Sequence, residues 1–125
     1  MRVIIAGSRG WNDADAIAAA MAEHFPDCTE VVCGMCHGAD MLGKKWADRL
    51  AIRVAQFPAK WEAFGPYAGP RRNQQMANYA SPSGGLLACR LSGISRGTDD
   101  MIRKGRAAGL KVVVIEPAAP ADPAN

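Results

Sequence analysis

The chain has 125 residues, the size of one ordinary domain. Hydrophobic residues make up 49% and charged ones 22%, enough apolar content for a real core and too much for intrinsic disorder. Lys and Arg number 15 against 12 Asp and Glu, a net charge of +3 that suits a phosphate-bearing small ligand and excludes a histone-like arm or a long basic stripe for nucleic acid. No apolar stretch approaches the roughly 20 residues of a membrane span. The opening run from Met1 to Gly7 is too short and too soon interrupted for a signal peptide. The expectation is a cytoplasmic protein with one domain over residues 1–116 and a Pro/Ala-rich tail over 117–125.

Arg2-Val3-Ile4-Ile5-Ala6 is a continuous apolar run that predicts a buried strand, and Gly7-Ser8-Arg9-Gly10 follows it. Ile17, Met21 and Phe25 then recur on one helical face, with Asn12 or Asp13 as N-cap. Val31-Val32-Cys33 predicts a second strand ending at Gly34, and a helix after Gly38 places Leu42, Trp46 and Leu50 on its inner stripe. Arg53-Val54-Ala55-Gln56-Phe57 reads as a third strand that Pro58 stops. From Ala59 to Pro70 the pattern is irregular and holds Trp61, Phe64, Pro66 and Tyr67, the kind of long loop that is more often functional than idle. A third helix begins near Pro70, and Ser81-Pro82-Ser83-Gly84-Gly85 breaks the chain again. Leu86 to Leu91 is a fourth strand, Gly97-Thr98 opens a fourth helix that closes at Gly109, and Lys111 to Ile115 is a fifth strand.

Apolar strands separated by helices predict an α/β fold, a Rossmann-like doubly wound parallel sheet of about five strands with helices on both faces. The expected strand order is 3-2-1-4-5. In such a sheet ligands bind beyond the carboxyl ends of the strands, where the order reverses. That brings together the loops Gly7-Ser8-Arg9-Gly10, Gly34-Met35-Cys36-His37-Gly38 and Gly93-Ile94-Ser95-Arg96-Gly97-Thr98. Glycine lets backbone N–H groups approach an anion, and each helix start adds partial positive charge, so the three loops predict a phosphate-binding crevice. The plainer alternative is that these glycines only make tight strand-to-helix turns. The chain contains neither G-x-G-x-x-G nor a Walker lysine motif, which disfavours a standard dinucleotide dehydrogenase or P-loop NTPase.

Cys28, Cys33 and Cys36 read C-x4-C-x2-C with a distant Cys89, similar to a plant-type iron–sulfur spacing. A strand between the first two would hold them roughly 16 Å apart, beyond the reach of one cluster or zinc ion. Four buried free thiols, no metal and no cofactor are therefore expected.

Four stretches carry a resemblance: Gly7-Ser8-Arg9, Cys33-Gly34-Met35-Cys36-His37-Gly38-Ala39-Asp40, Ala68-Gly69-Pro70-Arg71-Arg72-Asn73-Gln74-Gln75-Met76 and Gly93-Ile94-Ser95-Arg96-Gly97-Thr98. With them the chain resembles the SLOG superfamily, in its small YspA-like branch frequent in bacteria and phages. The resemblance implies a Rossmann-like fold that binds nucleotides or nucleotide-derived ligands. It also implies a link to the LOG phosphoribohydrolases, which cleave the base–ribose bond of nucleoside monophosphates and carry Pro-Gly-Gly-x-Gly-Thr-x-x-Glu. Here the paired glycines become Ser92-Gly93 and the final glutamate falls on Met101. Arg72 can stand in for that family's catalytic arginine by position; Met101 cannot supply a carboxylate.

Glycosidic cleavage passes through an oxocarbenium-like state that a carboxylate stabilises. Asp99 and Asp100 share a helical turn with Met101 but are rotated from it by roughly 100° per residue. Asp100 either reaches the crevice or balances the helix dipole, and Asp40 is either a ribose ligand or a first-turn acid. Arg72 and Asn73 are candidates to hold ligand, with Arg71 open between ligand and solvent; His37 is open between ligand contact and loop lining. His24 reads as surface, and Lys44, Lys45, Arg103, Lys104 and Arg106 as solvated helix faces. Trp61 and Tyr67 either stack on a base or pack over the sheet edge. The ligand-binding candidates are Gly7, Ser8, Arg9, Gly34, His37, Gly38, Asp40, Arg72, Asn73, Gly93, Ser95, Arg96, Gly97 and Thr98.

The leading expectation is a binding protein for a nucleotide-type small molecule, a sensor or sequestering module with no membrane partner and with a homodimer left open. The alternative is a nucleoside 5′-monophosphate phosphoribohydrolase using Arg72 with Asp100 or Asp99. Direct nucleic-acid binding stands behind both for want of a basic stripe.

Overall fold

A computed structural model describes residues 1–117. The elements in chain order are β1 (Arg2–Gly7), α1 (Ala14–His24), β2 (Glu30–Cys33), α2 (Ala39–Arg49), β3 (Arg53–Gln56), α3 (Trp61–Phe64), a 3-10 turn (Gly65–Tyr67), α4 (Ala68–Ala80), β4 (Gly85–Cys89), α5 (Arg96–Ala107) and β5 (Lys111–Ile115). The five strands form one parallel sheet in the order β3-β2-β1-β4-β5, as the alternating pattern predicted. β1 lies beside β4 with Gly7 opposite Cys89, so the reversal of strand order falls between their carboxyl ends. Of the tail expected over 117–125, residues 118–125 lie outside the described residues.

The period of two along β1 explains the layering. Val3 and Ile5 face α1 and α2, in a core with Trp11, Ile17, Met21 and Phe25. Ile4 and Ala6 face α4 and α5, in a second core with Met76, Ala77, Met101 and Ile102. Covering both faces is why the central strands read as unbroken apolar runs. No helix among the described residues is long and apolar enough to cross a membrane.

Several local expectations are corrected. Of the stripe expected on α2, Leu42 and Trp46 are half-buried and pack against the first core, but Leu50 is 56% exposed, and the fully buried positions are Ala39, Asp40, Gly43 and Ala47. The cause is close packing: a Cβ on Gly43 would come within 2.6 Å of Ile5 Cγ2, so only a small-residue stripe lets the helix rest on β1. The irregular stretch contains α3 and the 3-10 turn, and α4 starts at Ala68 with Pro70 inside its first turn, where a missing N–H costs nothing. β4 ends at Cys89 rather than Leu91, and α5 begins at Arg96, one residue before Gly97. Asp13 is the N-cap of α1, its carboxylate accepting from the Ala16 N–H at 2.9 Å. Gly109, at φ +77, ends the α5 turn by donating its N–H to the Arg106 carbonyl at 3.1 Å.

Candidate functional site

A cavity of about 840 Å³ opens at the carboxyl edge of the sheet, over the gap between β1 and β4. The loop after β1 supplies Gly7, Ser8 and Arg9; the turn from β4 into α5 supplies Ser95, Arg96, Gly97 and Thr98; α2 supplies Asp40, and α4 supplies Arg72 and Asn73. Asp100 also lines it. Gly34, His37, Gly38 and Gly93 do not.

The β1 and β4 loops are tied by short polar links. Ser8 N–H donates to the Cys89 carbonyl at 2.9 Å, and Leu91 N–H donates to Ser8 Oγ at 3.1 Å. Ser95 Oγ donates to the Leu91 carbonyl at 3.2 Å, so the hydroxyl at the N-cap of α5 is directed away from the helix and caps none of its N–H groups. The first turn of α5 therefore keeps its partial positive charge for whatever occupies the cavity. A Cβ on Gly97 would meet nothing within 4 Å, which leaves room at that turn. Gly38, at φ +80, lies where a Cβ would strike the Ser8 and Arg9 carbonyls, and so holds the β2 loop against the β1 loop. Gly93, at φ +87, presents its carbonyl to Arg90 Nη2 at 3.2 Å. His37 is exposed and does not line the cavity.

Deep in the cavity two opposite charges are buried without pairing directly. Arg72 is 8% exposed and Asp40 3%, and among the described residues neither makes an ion pair within 4.0 Å. Arg72 Nε donates to Asn73 Oδ1 at 3.0 Å, Nη1 donates to the Gly34 and Phe57 carbonyls, and Nη2 reaches only the Cys36 sulfur, at 3.6 Å. A guanidinium has five N–H donors, and thiol sulfur is a weak acceptor, so the Nη2 edge keeps capacity for a ligand. Asp40 accepts one N–H on each oxygen, from Gly7 and from Cys36, both at 3.3 Å. Burial pushes its pKa up to about 6, against the opposing pull of the Arg72 charge and these N–H groups. Gly34 stands between the two charges: a Cβ there would come within 2.7 Å of both Arg72 Nη1 and Asp40 Oδ2.

The acids at the start of α5 separate. Asp99 pairs with Arg90 at 2.7 Å and does not line the cavity. Asp100 does, but its Oδ1 accepts from Arg103 at 2.7 Å and its Oδ2 from Lys104 at 2.8 Å and Asn73 at 3.0 Å. Burial raises its pKa, yet the Lys104 and Asn73 hydrogen bonds and the charges of Lys104 and Arg103 outweigh that and hold it below the ordinary value. Arg103 and Lys104 are thus not merely solvated faces, and Arg103 lines the cavity itself. Their i+3 and i+4 spacing from Asp100 was the available sequence signal.

Met101 lines the cavity floor but is only 1% exposed, packed in the α4–α5 core. Trp61 and Ile94 form exposed apolar parts of the lining, Tyr67 does not line it, and Arg71 stacks its guanidinium 4.0 Å from the Phe64 ring centroid. All four cysteines are free thiols, but only Cys33 and Cys89 are buried as expected, Cys28 and Cys36 being half-buried; burial raises Cys33 to about 11 and Cys89 to about 12.

The family described as YspA, cpYpsA-related SLOG family (YAcAr) matches this chain over residues 1–64, a span that includes the β1 loop, the β2 loop and Asp40. The chain is also similar to the Gene 61 protein of Mycobacterium phage D29, 32% identical over 120 residues, covering 90% of this chain and 94% of the relative. No solved structure matches it.

Proposed function

The chain belongs to the YspA, cpYpsA-related SLOG family, and from that premise we propose that its cavity binds a nucleotide or nucleotide-derived small molecule, as a sensor or sequestering module. The observation that carries this reading is the pairing of two anion-seeking features in one cavity. The uncapped first turn of α5 lies in its lining, and the buried Arg72, which has no ion-pair partner among the described residues, holds unused N–H capacity on Nη2. Arg9 and Arg96 in the same lining add positive potential for a phosphate-bearing molecule, while Arg103 is offset by its pair with Asp100. Trp61 and Ile94 supply apolar surface suited to the flat face of a base. Mass spectrometry of small molecules carried through native purification, followed by calorimetry with nucleoside monophosphates, tests this reading. Failure of every nucleotide to bind would overturn it.

The phosphoribohydrolase reading keeps one favourable observation, the presence of Asp100 on the cavity wall. Its three donors and depressed pKa leave it a poor proton acceptor, and Met101 offers no carboxylate. Base release from nucleoside monophosphates is expected to be slow or undetectable despite binding. Multiple turnover that is lost in Asp100→Asn would replace the binding reading with the enzymatic one.

A further inference from the structure

We infer that Asp40 reads the sugar hydroxyls of the ligand and makes the cavity selective for ribonucleotides over 2′-deoxynucleotides. The inference rests on the nucleotide-binding reading above and adds to it the group that is recognised. Asp40 is almost wholly buried, yet it belongs to the cavity lining, so its carboxylate is sheltered from bulk water and open to a ligand. A carboxylate offers about four lone-pair positions. Asp40 uses two, each on a long N–H contact of 3.3 Å from the backbone of Gly7 or Cys36. The remaining capacity belongs to a carboxylate in the cavity lining, which Gly34 lets approach the Arg72 guanidinium without a side chain between them. A buried acceptor this short of donors selects ligands that bring them.

Three kinds of donor could fill that capacity, and two conflict with the surroundings. A metal ion would need further ligands, and no group of three His, Cys, Asp or Glu among the described residues could hold one. A cationic ligand group would meet the positive field of Arg72, whose charge already acts on Asp40. A neutral donor meets neither objection. In a nucleotide whose phosphate spans the first turn of α5 and the Nη2 edge of Arg72, and whose base lies against the exposed Trp61 and Ile94, the neutral donors left for Asp40 are the ribose hydroxyls. A vicinal diol also matches a carboxylate geometrically, presenting two O–H groups to its two oxygens.

The test is calorimetry on the full chain with adenosine, guanosine, cytidine and uridine 5′-monophosphates, their 2′-deoxy and 2′,3′-dideoxy counterparts, and ribose 5-phosphate. The wild-type protein is expected to prefer the ribonucleotide it binds best over its 2′-deoxy form by about tenfold or more, the range for a hydrogen bond to a charged group. In Asp40→Asn that preference should collapse to under about threefold, with the deoxynucleotide affinity little changed. Ribose 5-phosphate should bind measurably and lose affinity in the same variant. Equal affinity of wild type for ribo and deoxy forms overturns the inference even if the variant fails to fold. So does an equal loss for ribo and dideoxy forms in Asp40→Asn, which would assign Asp40 to the base or to scaffold. In both cases nucleotide binding itself stands; if no nucleotide binds, both readings fall.

Discussion

Asp40→Asn should change the pH dependence of folding stability more than the stability at any single pH. In the native protein burial lifts the Asp40 pKa from the ordinary 3.8 to about 6. Between those values the folded chain holds a proton that the unfolded chain has released, so stability falls as pH rises. The interval is about two pH units at about 1.4 kcal/mol each, which makes the charged carboxylate cost about 3 kcal/mol once the pH exceeds the folded pKa. Below the unfolded pKa the cost vanishes. Asparagine carries no such dependence. It does introduce a constant penalty, because its single oxygen cannot accept from both Gly7 and Cys36, and an amide NH₂ facing one of those N–H groups costs about 1–3 kcal/mol. Urea denaturation of both proteins from about pH 4 to about pH 8 separates the two effects. The variant is expected to gain about 2.5 kcal/mol on the wild type across that range, whatever the offset between them. A constant difference would show that Asp40 titrates normally and that its burial is relieved by something outside this account.

Gly97→Asp should leave the protein folded, since a side chain there meets open space, while abolishing nucleotide binding by setting a carboxylate at the anion-seeking turn; unchanged affinity by calorimetry would remove that turn from the site. Arg72→Ala should weaken nucleotide binding by about 2–5 kcal/mol and also lower stability by about 1–3 kcal/mol, because the Gly34 and Phe57 carbonyls lose their donor. Lys45→Ala on the exposed face of α2 is its control, and equal effects of the two on affinity would refute the role of Arg72. Met101→Glu should destabilise by about 3–5 kcal/mol in denaturant titration, since a carboxylate would replace a side chain that is 1% exposed; a stable variant would mean the residue reaches water.

The sheet was legible because both of its signals are local. Unbroken apolar runs such as Val3-Ile4-Ile5 reveal strands covered on both faces, and glycines at the run ends reveal the turns. The crossover rule leaves a few doubly wound orders, of which 3-2-1-4-5 was the expected one, and strand order in turn locates the cavity. Less visible was what packing distance decides. On α2, Leu42 and Trp46 flank the contact and pack on the first core, but the fully buried line is the small one with Gly43, which brings the backbone close to Ile5. Trp11, 3% exposed in the first core, sits in a glycine-flanked loop where no periodicity marks it. Within the site, Asp99 and Asp100 are indistinguishable by composition; only the helix phase sends one to Arg90 and the other into the cavity. The separation of Arg72 from Asp40 by the width of one absent side chain has no signature in either residue.

The stripe of small residues on α2 also sets how the cavity can respond to different occupants. Ala39, Gly43 and Ala47 bring the helix close against β1, with Leu42 and Trp46 packed on the same core beside them, and Asp40 is carried on that contact. The opposite rim is built otherwise: α3 and the 3-10 turn after it bury none of their own residues. Local stability follows buried contact, so one wall is stiff and the other compliant. A molecule entering the cavity is measured strictly at its deep polar end and loosely at its outer end. Chemical variants should therefore be rejected or accepted according to which end they alter, with substitutions on the base tolerated better than the same change in volume on the sugar.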